Sequence, residues 1–318
     1  MKECESPLQL IFLGTGAGAP TTKRNVSSTA LTFDQGSEVW LFDCGEGTQQ
    51  QIARSKVSLA AITHIFITHL HGDHLLGLPG LLGSRSLQAR ALTPLTLIGP
   101  QGLKEFVQCV LNTTQTALGY SVVIKEVSES GSILETPLAT VTVRELEHGV
   151  KSFGYEILER PKPGKFRKSF AQLAGIPEGP LYGQLKRGED IHLPDGRIFL
   201  SRNFVDPPVR GRKIAILGDT IPCAGAFLLA NEADVLVHEA TFAQDQHDLA
   251  RKSMHSTAAQ AAQLAKEAHA RTLILTHVSA RYENGNQGEV HPLLEEARAI
   301  FSPTYLAEDF FVFTVPRA

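Results

Sequence analysis

The chain has 318 residues, enough to bury a large core in one big domain or in two ordinary ones. Hydrophobic residues make up 42% and charged residues 20%, an ordinary balance for a soluble globular protein, and no apolar run approaches the ~20 residues of a membrane-spanning helix. A formal net charge of −3 argues against a generally basic nucleic-acid binder, although local charge decides more than the sum. Met1 to Glu5 is polar and acidic with no apolar signal core behind it, so a cytoplasmic protein without membrane contact is expected. Cys4, Cys44, Cys109 and Cys223 form no CxxC pair, which indicates neither a disulfide framework nor a thiolate zinc site.

Leu8 to Leu13 reads as a buried strand running into Gly14-Thr15-Gly16-Ala17-Gly18-Ala19, a GxGxxA match followed by Asp34. A dinucleotide site requires that motif to open a helix, whereas Pro20 to Ser28 is loop chemistry, so no nucleotide cofactor is expected. A tight glycine turn and a polar loop carrying Lys23 and Arg24 remain. Residues 30–33 and 38–42 read as a hairpin joined through Asp34 to Ser37, and Asp43-Cys44-Gly45-Glu46-Gly47-Thr48 leads from it into a short helix.

The apolar run Ile65 to Thr68 then delivers His69-Leu70-His71-Gly72-Asp73-His74. Alternation along an extended segment sends His69 and His71 to one side, and Gly72 lets the chain turn and present Asp73 and His74 from another direction. One short stretch can thus serve two metal ions, and imidazole with carboxylate suits zinc or a similar borderline ion. A helix is expected from His74 to about Gln88, broken or kinked at Pro79. A strand at 95–98, a helix at 102–111 and strands at 122–124 and 139–143 follow, the last leading to His148. Strands alternate with helices while several neighbours are hairpin-linked, which predicts an α/β protein with mixed sheets.

From Pro161 to Gly188, proline and glycine break every short apolar run, and residues 151–188 carry eight Lys or Arg against three Asp or Glu. Such a stretch, holding Lys165, Arg167 and Lys168 among Phe166, Phe170 and Tyr182, reads as a protruding basic arm that attracts a polyanion to one place. Three later strands end in chemistry: 213–217 in Gly218-Asp219, 234–237 in His238-Glu239, and 272–276 in His277. Thr257 and Gln260 form a capping box that opens a helix, with His255 just ahead of it. His69, His71, Asp73, His74, Asp219 and His277, with His148 as a seventh, suffice for two metal ions if one carboxylate bridges; two such ions can clamp both the attacking and the leaving oxygen of a phosphoryl displacement.

The His69 to His74 stretch resembles the signature of the metallo-β-lactamase superfamily, and the chain as a whole resembles its ribonuclease Z branch, the tRNA 3′-processing nucleases also called ribonuclease BN. The marks of that branch are Pro20-Thr21-Thr22-Lys23-Arg24-Asn25, the Phe42 to Thr48 run, Gly179-Pro180, His238-Glu239-Ala240-Thr241 and His255-Ser256-Thr257. Thr22 stands where the first loop of the branch usually has a basic residue.

The resemblance implies a four-layer αβ/βα sandwich spanning 1–318 as one domain, with the arm inserted at 156–200. It further implies two zinc ions per subunit, one held by His69, His71 and His148 and the other by Asp73, His74 and His277, with Asp219 bridging. Asp73 would accept the proton of the attacking water, and His255, supported by Glu239, would donate to the leaving 3′ oxygen. Arg281, Lys23, Arg24, Lys165, Arg167, Lys168, Gly179 and Pro180 would contact RNA, a precursor tRNA cut beside its discriminator nucleotide, and the chain would be a homodimer. A general RNA phosphodiesterase or 3′ exoribonuclease on the same site is the alternative. Thioester or lactam hydrolysis fits the basic arm and Arg281 less well, and a non-catalytic RNA binder fits this open ligand set least.

Overall fold

The computed structural model describes residues 7–33, 38–88, 93–282 and 291–317. Asp34, the turn at 34–37 and Cys4 lie outside the described residues. Two compact units emerge, one running up to Ile157 and resuming at Lys213–Arg317, the other Leu158–Arg212.

In the first half of the larger unit, strands β1 (Gln9–Gly14), β2 (Ser28–Thr32), β3 (Val39–Phe42), β4 (Ile62–Phe66), β5 (Leu95–Pro100) and β6 (Val122–Val127) alternate with helices α1 (Thr48–Arg54), α2 (Gly72–Leu75), α3 (Leu78–Gln88) and α4 (Leu103–Thr113). Strands β7 (Gly131–Glu135), β8 (Ala139–Leu146) and β9 (Ser152–Glu159) follow. The smaller unit holds α5 (Lys168–Leu173), α6 (Pro180–Lys186), β10 (Ile191–His192) and β11 (Ile198–Phe199). Then come β12 (Lys213–Ile216), α7 (Ala224–Ala230), β13 (Val235–Glu239), α8 (His247–Lys252), α9 (Ala258–Glu267), β14 (Leu273–Thr276), α10 (Pro292–Ile300), β15 (Thr304–Leu306) and β16 (Val312–Thr314).

Two sheets result, ordered β16-β1-β2-β3-β4-β5-β6 and β15-β14-β13-β12-β9-β8-β7. Both are mixed: β1 pairs antiparallel with β2 and β16, while β3 to β6 run parallel, as do β12 to β15. Alternation explains the layers. Leu10 and Phe12 of β1 join Phe66, Tyr155, Val235 and Val237 in a core between the sheets, whereas Ile11 and Leu13 face outward with Ile52, Leu78, Leu82 and Val107 of the helices. Leu236, Leu273 and Leu275 likewise face an alanine-rich layer that includes Ala226, Ala258, Ala261 and Ala265. The outcome is a four-layer αβ/βα sandwich. Among the described residues, no helix is long and apolar enough to cross a membrane.

Several sequence expectations need correction. The helix expected over 74–88 is two helices, and the break falls before Pro79: a Cβ on Gly77 would stand 1.9 Å from the Gly45 carbonyl oxygen, and α3 then begins with Pro79 in its first turn, where a missing N–H costs little. Gly14 serves close packing in the same way, since a Cβ there would meet the Val26 oxygen at 1.8 Å. The Pro161 to Gly188 segment, read as poor in regular structure, contains α5 and α6, and the compact unit extends to Arg212 where the sequence suggested 200. Its small core of Ala171, Ile176, Tyr182, Leu185, Ile191 and Phe204 is assembled from runs too short to show a period. The Thr257 capping box is present, with Gln260 N–H donating to Thr257 Oγ1 and Thr257 N–H to Gln260 Oε1 at 3.2 and 2.9 Å.

Candidate metal centre

Strand β4 ends at Phe66, and the following loop is stitched into the second sheet: Tyr155 Oη donates to the Ile67 carbonyl at 2.7 Å and Phe153 N–H to that of Thr68 at 2.9 Å. That anchoring sets His69 in the interior, fully buried, with His71 at the start of α2 and Asp73 and His74 within it. From the other sheet, β12, β13 and β14 bring up Asp219, Glu239 and His277 at or just beyond their carboxyl ends, where active sites of α/β proteins form.

Among the described residues, His69, His71 and His148 place ligand atoms within 4.8 Å of one another, as do Asp73, His74 and His277, and His69, His74 and Asp219. His71 Nδ1 lies 3.1 Å from His69 Nε2 and 3.3 Å from His148 Nε2. In the second group, His277 Nε2 is 3.2 Å from Asp73 Oδ2 and 3.3 Å from His74 Nε2. Asp219 Oδ2 stands between the groups, 3.7 Å from His69, 3.4 Å from His74 and 3.3 Å from His277. The structure therefore brings together all seven side chains singled out from the sequence.

Four of the imidazoles are oriented through their other nitrogen. His74 Nδ1–H donates to Asp43 at 2.7 Å, and Asp43 also accepts from the Thr68 amide and hydroxyl at 2.7 and 2.9 Å. The Thr68 hydroxyl accepts in turn from His69 Nδ1 at 3.0 Å. His277 Nδ1–H donates to the Thr241 hydroxyl at 2.9 Å, the hydroxyl donates in turn to Glu239 at 2.6 Å, and His148 Nδ1–H donates to the Met254 carbonyl at 2.7 Å. Each such bond fixes the tautomer and turns an Nε2 lone pair inward, as metal sites require. Asp43, Met254 and His277 hold φ of 58°, 60° and 56°, a costly conformation for non-glycine residues that clusters at functional sites. Asp43 and Thr241 lie in stretches that mark the family branch in the sequence but had no role assigned there, and Thr68 and the Met254 carbonyl were not singled out.

Charge in the cluster is unbalanced in the sense a cation would correct. Burial opposes a charge on His74, yet Asp219 and Asp43 hold it protonated well above the ordinary imidazole range. Burial likewise pushes Asp219 and Asp73 upward, and the surrounding histidines outweigh it and keep both below the usual carboxylate range. The negative charge that retains the His74 proton is what would hold a divalent ion, and a nitrogen and oxygen donor set without thiolate is that of a catalytic zinc site.

Beside the cluster, His255 Nδ1 donates to Glu239 at 3.0 Å and lies 3.9 Å from Asp219. Burial lowers its pKa, but the Glu239 hydrogen bond and charge prevail and lift it to about 9. Arg281 is exposed, its guanidinium 5.0 Å over the Phe242 ring and its Nε 3.2 Å from the Ser279 hydroxyl. Lys23 is exposed as well. Arg24 departs from the surface role expected of it: it is buried and donates to Thr15 Oγ1 and to the Ala307 carbonyl at 2.7 and 2.6 Å, a strut inside the fold. Within the smaller unit, Lys165 is exposed, Arg167 is bonded to Asp206 at 2.6 Å, and Lys168 pairs with Glu178 at 3.1 Å. Gly179 and Pro180 start α6, glycine at φ 135° before proline in the first turn.

Comparison with known proteins sets this geometry in a family. The family described as anti-Pycsar protein Apyc1 matches residues 8–119. The ribonuclease Z of a Cyanothece species is 49% identical over 310 residues, 98% of this chain and 96% of that protein. That of Geobacillus kaustophilus is 47% identical over 312 residues, covering 98% and 100%. The crystal structure of the short form of human tRNase Z superposes with a TM-score of 0.71 at 32% identity over 97% of this chain and all of that one. The metallo-β-lactamase fold protein YhfI from Bacillus subtilis shares the fold, with a TM-score of 0.66 at 19% identity. Identity at that level across nearly the whole of both chains means that this chain belongs to the ribonuclease Z family of the metallo-β-lactamase superfamily.

Proposed function

We propose that the chain is a zinc-dependent phosphodiesterase that removes 3′ trailers from tRNA precursors by hydrolysis next to the discriminator nucleotide, leaving a 3′ hydroxyl on the tRNA. The observation that carries this reading is the gathering of His69, His71 and His148 in one group and Asp73, His74 and His277 in another, with the Asp219 carboxylate against His69, His74 and His277, in a chain of the ribonuclease Z family. His69, His71 and His148 would hold one zinc and Asp73, His74 and His277 the other, with Asp219 shared. When bound, two zinc ions supply Lewis acidity to a phosphoryl oxygen and make water a usable nucleophile near neutral pH.

The remaining steps belong to the protein. Asp73, within the cluster and ionised, accepts the proton of the attacking water. His255, kept charged by Glu239, donates a proton to the departing 3′ oxygen, the task of a general acid. Arg281, its guanidinium 5.0 Å over the Phe242 ring, meets phosphate charge, and Lys23 adds to it. In this reading the chain is one metallo-β-lactamase-like domain in which the Leu158–Arg212 unit is an inserted arm that grips the tRNA body through Lys165, Arg167, Lys168 and the Gly179-Pro180 helix start. Its eleven Lys or Arg against six Asp or Glu support that role. A-form RNA offers side chains little base information, so recognition is by shape and backbone charge. The subunits pair as a cytoplasmic homodimer in which each arm serves the partner's site.

Product mapping tests this. The zinc-loaded protein is given a 3′-extended tRNA precursor and an unstructured RNA of equal length. One cut beside the discriminator, confined to the tRNA, is expected; comparable trimming of both RNAs would replace the reading with a general phosphodiesterase.

A further inference from the structure

The loop between β1 and β2 reaches the metal centre at its tip and is anchored from the far end of the chain. At the tip, Gly18 N–H donates to Asp73 Oδ2 at 2.8 Å, from a backbone at φ 73° that favours glycine. The start of the loop lies along the segment that follows β14: Val278 N–H donates to the Thr15 carbonyl at 2.9 Å, and Ala17 N–H to the Val278 carbonyl at 3.1 Å. The loop therefore bonds to Asp73 and to the residue next to His277. Both of those side chains belong to the same group of three candidate ligands.

A loop without regular structure keeps its shape only if its ends are held. Here they meet at Asp309, a half-buried residue between β15 and β16. Its Oδ1 accepts from the Thr15 hydroxyl at 2.8 Å, and its Oδ2 accepts from Asn25 N–H and from Gln51 Nε2 of α1, each at 2.7 Å. Gly16 N–H donates to the Asn25 carbonyl at 2.8 Å and closes the same neck, and Arg24 braces it through Thr15 Oγ1 at 2.7 Å. Three donors on one carboxylate make a strong clamp, because a charged acceptor strengthens each bond. In the proposed reaction Asp309 is given no part.

We infer that Asp309 is a positioning residue for the metal centre: by clamping Thr15, Asn25 and Gln51 it holds the loop so that the Gly18 amide fixes the Asp73 carboxylate and the Thr15 and Ala17 backbone fixes the segment after His277. The inference rests on the two-zinc reading above. It concerns one ion of the two, the one assigned to Asp73, His74 and His277, since the loop bonds there. Groups that orient metal ligands from behind are commonly worth 10- to 100-fold in metal affinity. The role needs hydrogen-bond acceptance, not charge. An asparagine at 309 can turn its Oδ1 to Asn25 N–H and Gln51 Nε2 and donate from Nδ2 to the Thr15 hydroxyl, which both accepts and donates.

The test reads zinc affinity by chelator competition on the full-length protein, beside precursor cleavage at limiting and at saturating zinc. In Asp309→Ala, one zinc ion is bound roughly 10- to 100-fold more weakly and the other as in the wild type. Its kcat is reduced at limiting zinc and recovers at saturating zinc, which a merely structural defect would not do. Asp309→Asn restores both affinities. Thr15→Val keeps the side-chain shape, cuts one of the three bonds and weakens the same ion by a smaller factor, so it carries the test if Asp309→Ala does not fold. Wild-type affinity for both ions in whichever of these variants folds, with only the melting temperature lowered, overturns the inference. Equal weakening of both ions, or an Asp309→Asn as impaired as Asp309→Ala, overturns it as well. A wild type that binds two zinc ions and cuts no precursor would instead defeat the phosphodiesterase reading, while the zinc affinities still decide the role of Asp309.

Discussion

The metal centre and the Leu158–Arg212 unit both concentrate charge, under opposite physical conditions. In the centre, His69, His74, Asp219 and His277 are all at most 3% exposed, and their imidazoles are fixed by hydrogen bonds to Asp43, Thr68 and Thr241. In the smaller unit the ions sit at the surface and pair with near neighbours: Arg167 with Asp206, Lys168 with Glu178, Arg187 with Glu189, Arg197 with Asp195. Exposed pairs of that kind are worth little and can exchange a carboxylate for a phosphate at small cost. Buried groups cannot make that exchange, because removing one leaves the others uncompensated. On the function proposed above, chemistry belongs to the centre and affinity to the small unit.

The largest expected effect lies in the centre. Asp219→Ala removes the carboxylate facing three imidazoles, and we expect a loss of activity on the order of 10⁴-fold together with a reduced zinc content by elemental analysis. Full turnover with two zinc ions retained would refute the shared position of Asp219. Next comes a pair in the small unit that behaves like the centre. Glu159 and Arg212 are buried and joined at 2.7 and 2.9 Å, so Arg212→Leu strands a buried carboxylate and should cost about 3–5 kcal/mol in the stability of that unit, read as loss of amide-exchange protection there. Unchanged protection would mean that the pair is as dispensable as its exposed counterparts.

His255→Ala should slow precursor cleavage roughly 10²–10³-fold while zinc content stays the same, the pattern of a lost general acid. A parallel loss of metal would reassign His255 to the cluster. The smallest effect is expected from Lys165→Ala, which should weaken precursor binding a few-fold and lower the slope of log affinity against log salt by about 1. An unchanged slope would place Lys165 away from phosphate.

The two regions also differed in how much the sequence disclosed. The ligand-type residues were legible because they are chemically rare and stand at or shortly after strand ends, where active sites of α/β proteins form, while their division between two metal ions came from the family resemblance. The roles of Asp43, Thr68 and Thr241 were not legible, since they act through the far nitrogen of a histidine and in part through positive-φ backbone, which leaves no spacing signal. Arg24 was read as a surface charge because its partner, the Ala307 carbonyl, lies 283 residues away. In the small unit Pro180 looked like a breaker, although as the first residue of α6 it favours the helix, and a six-residue α5 is too short for periodicity. Strand β9, which carries Phe153 and Tyr155 into the core, was missed altogether.

The measurement that bears most directly on this division is a comparison of the intact protein with a form lacking residues 160–211, closed where Glu159 N–H already bonds to the Arg212 carbonyl at 2.9 Å. Zinc content and the ratio of precursor tRNA to unstructured RNA cleavage are read for both. Two zinc ions kept per chain with a collapse of that ratio is the predicted result. Unaltered preference for the tRNA precursor would contradict it and place substrate selection in the sandwich itself.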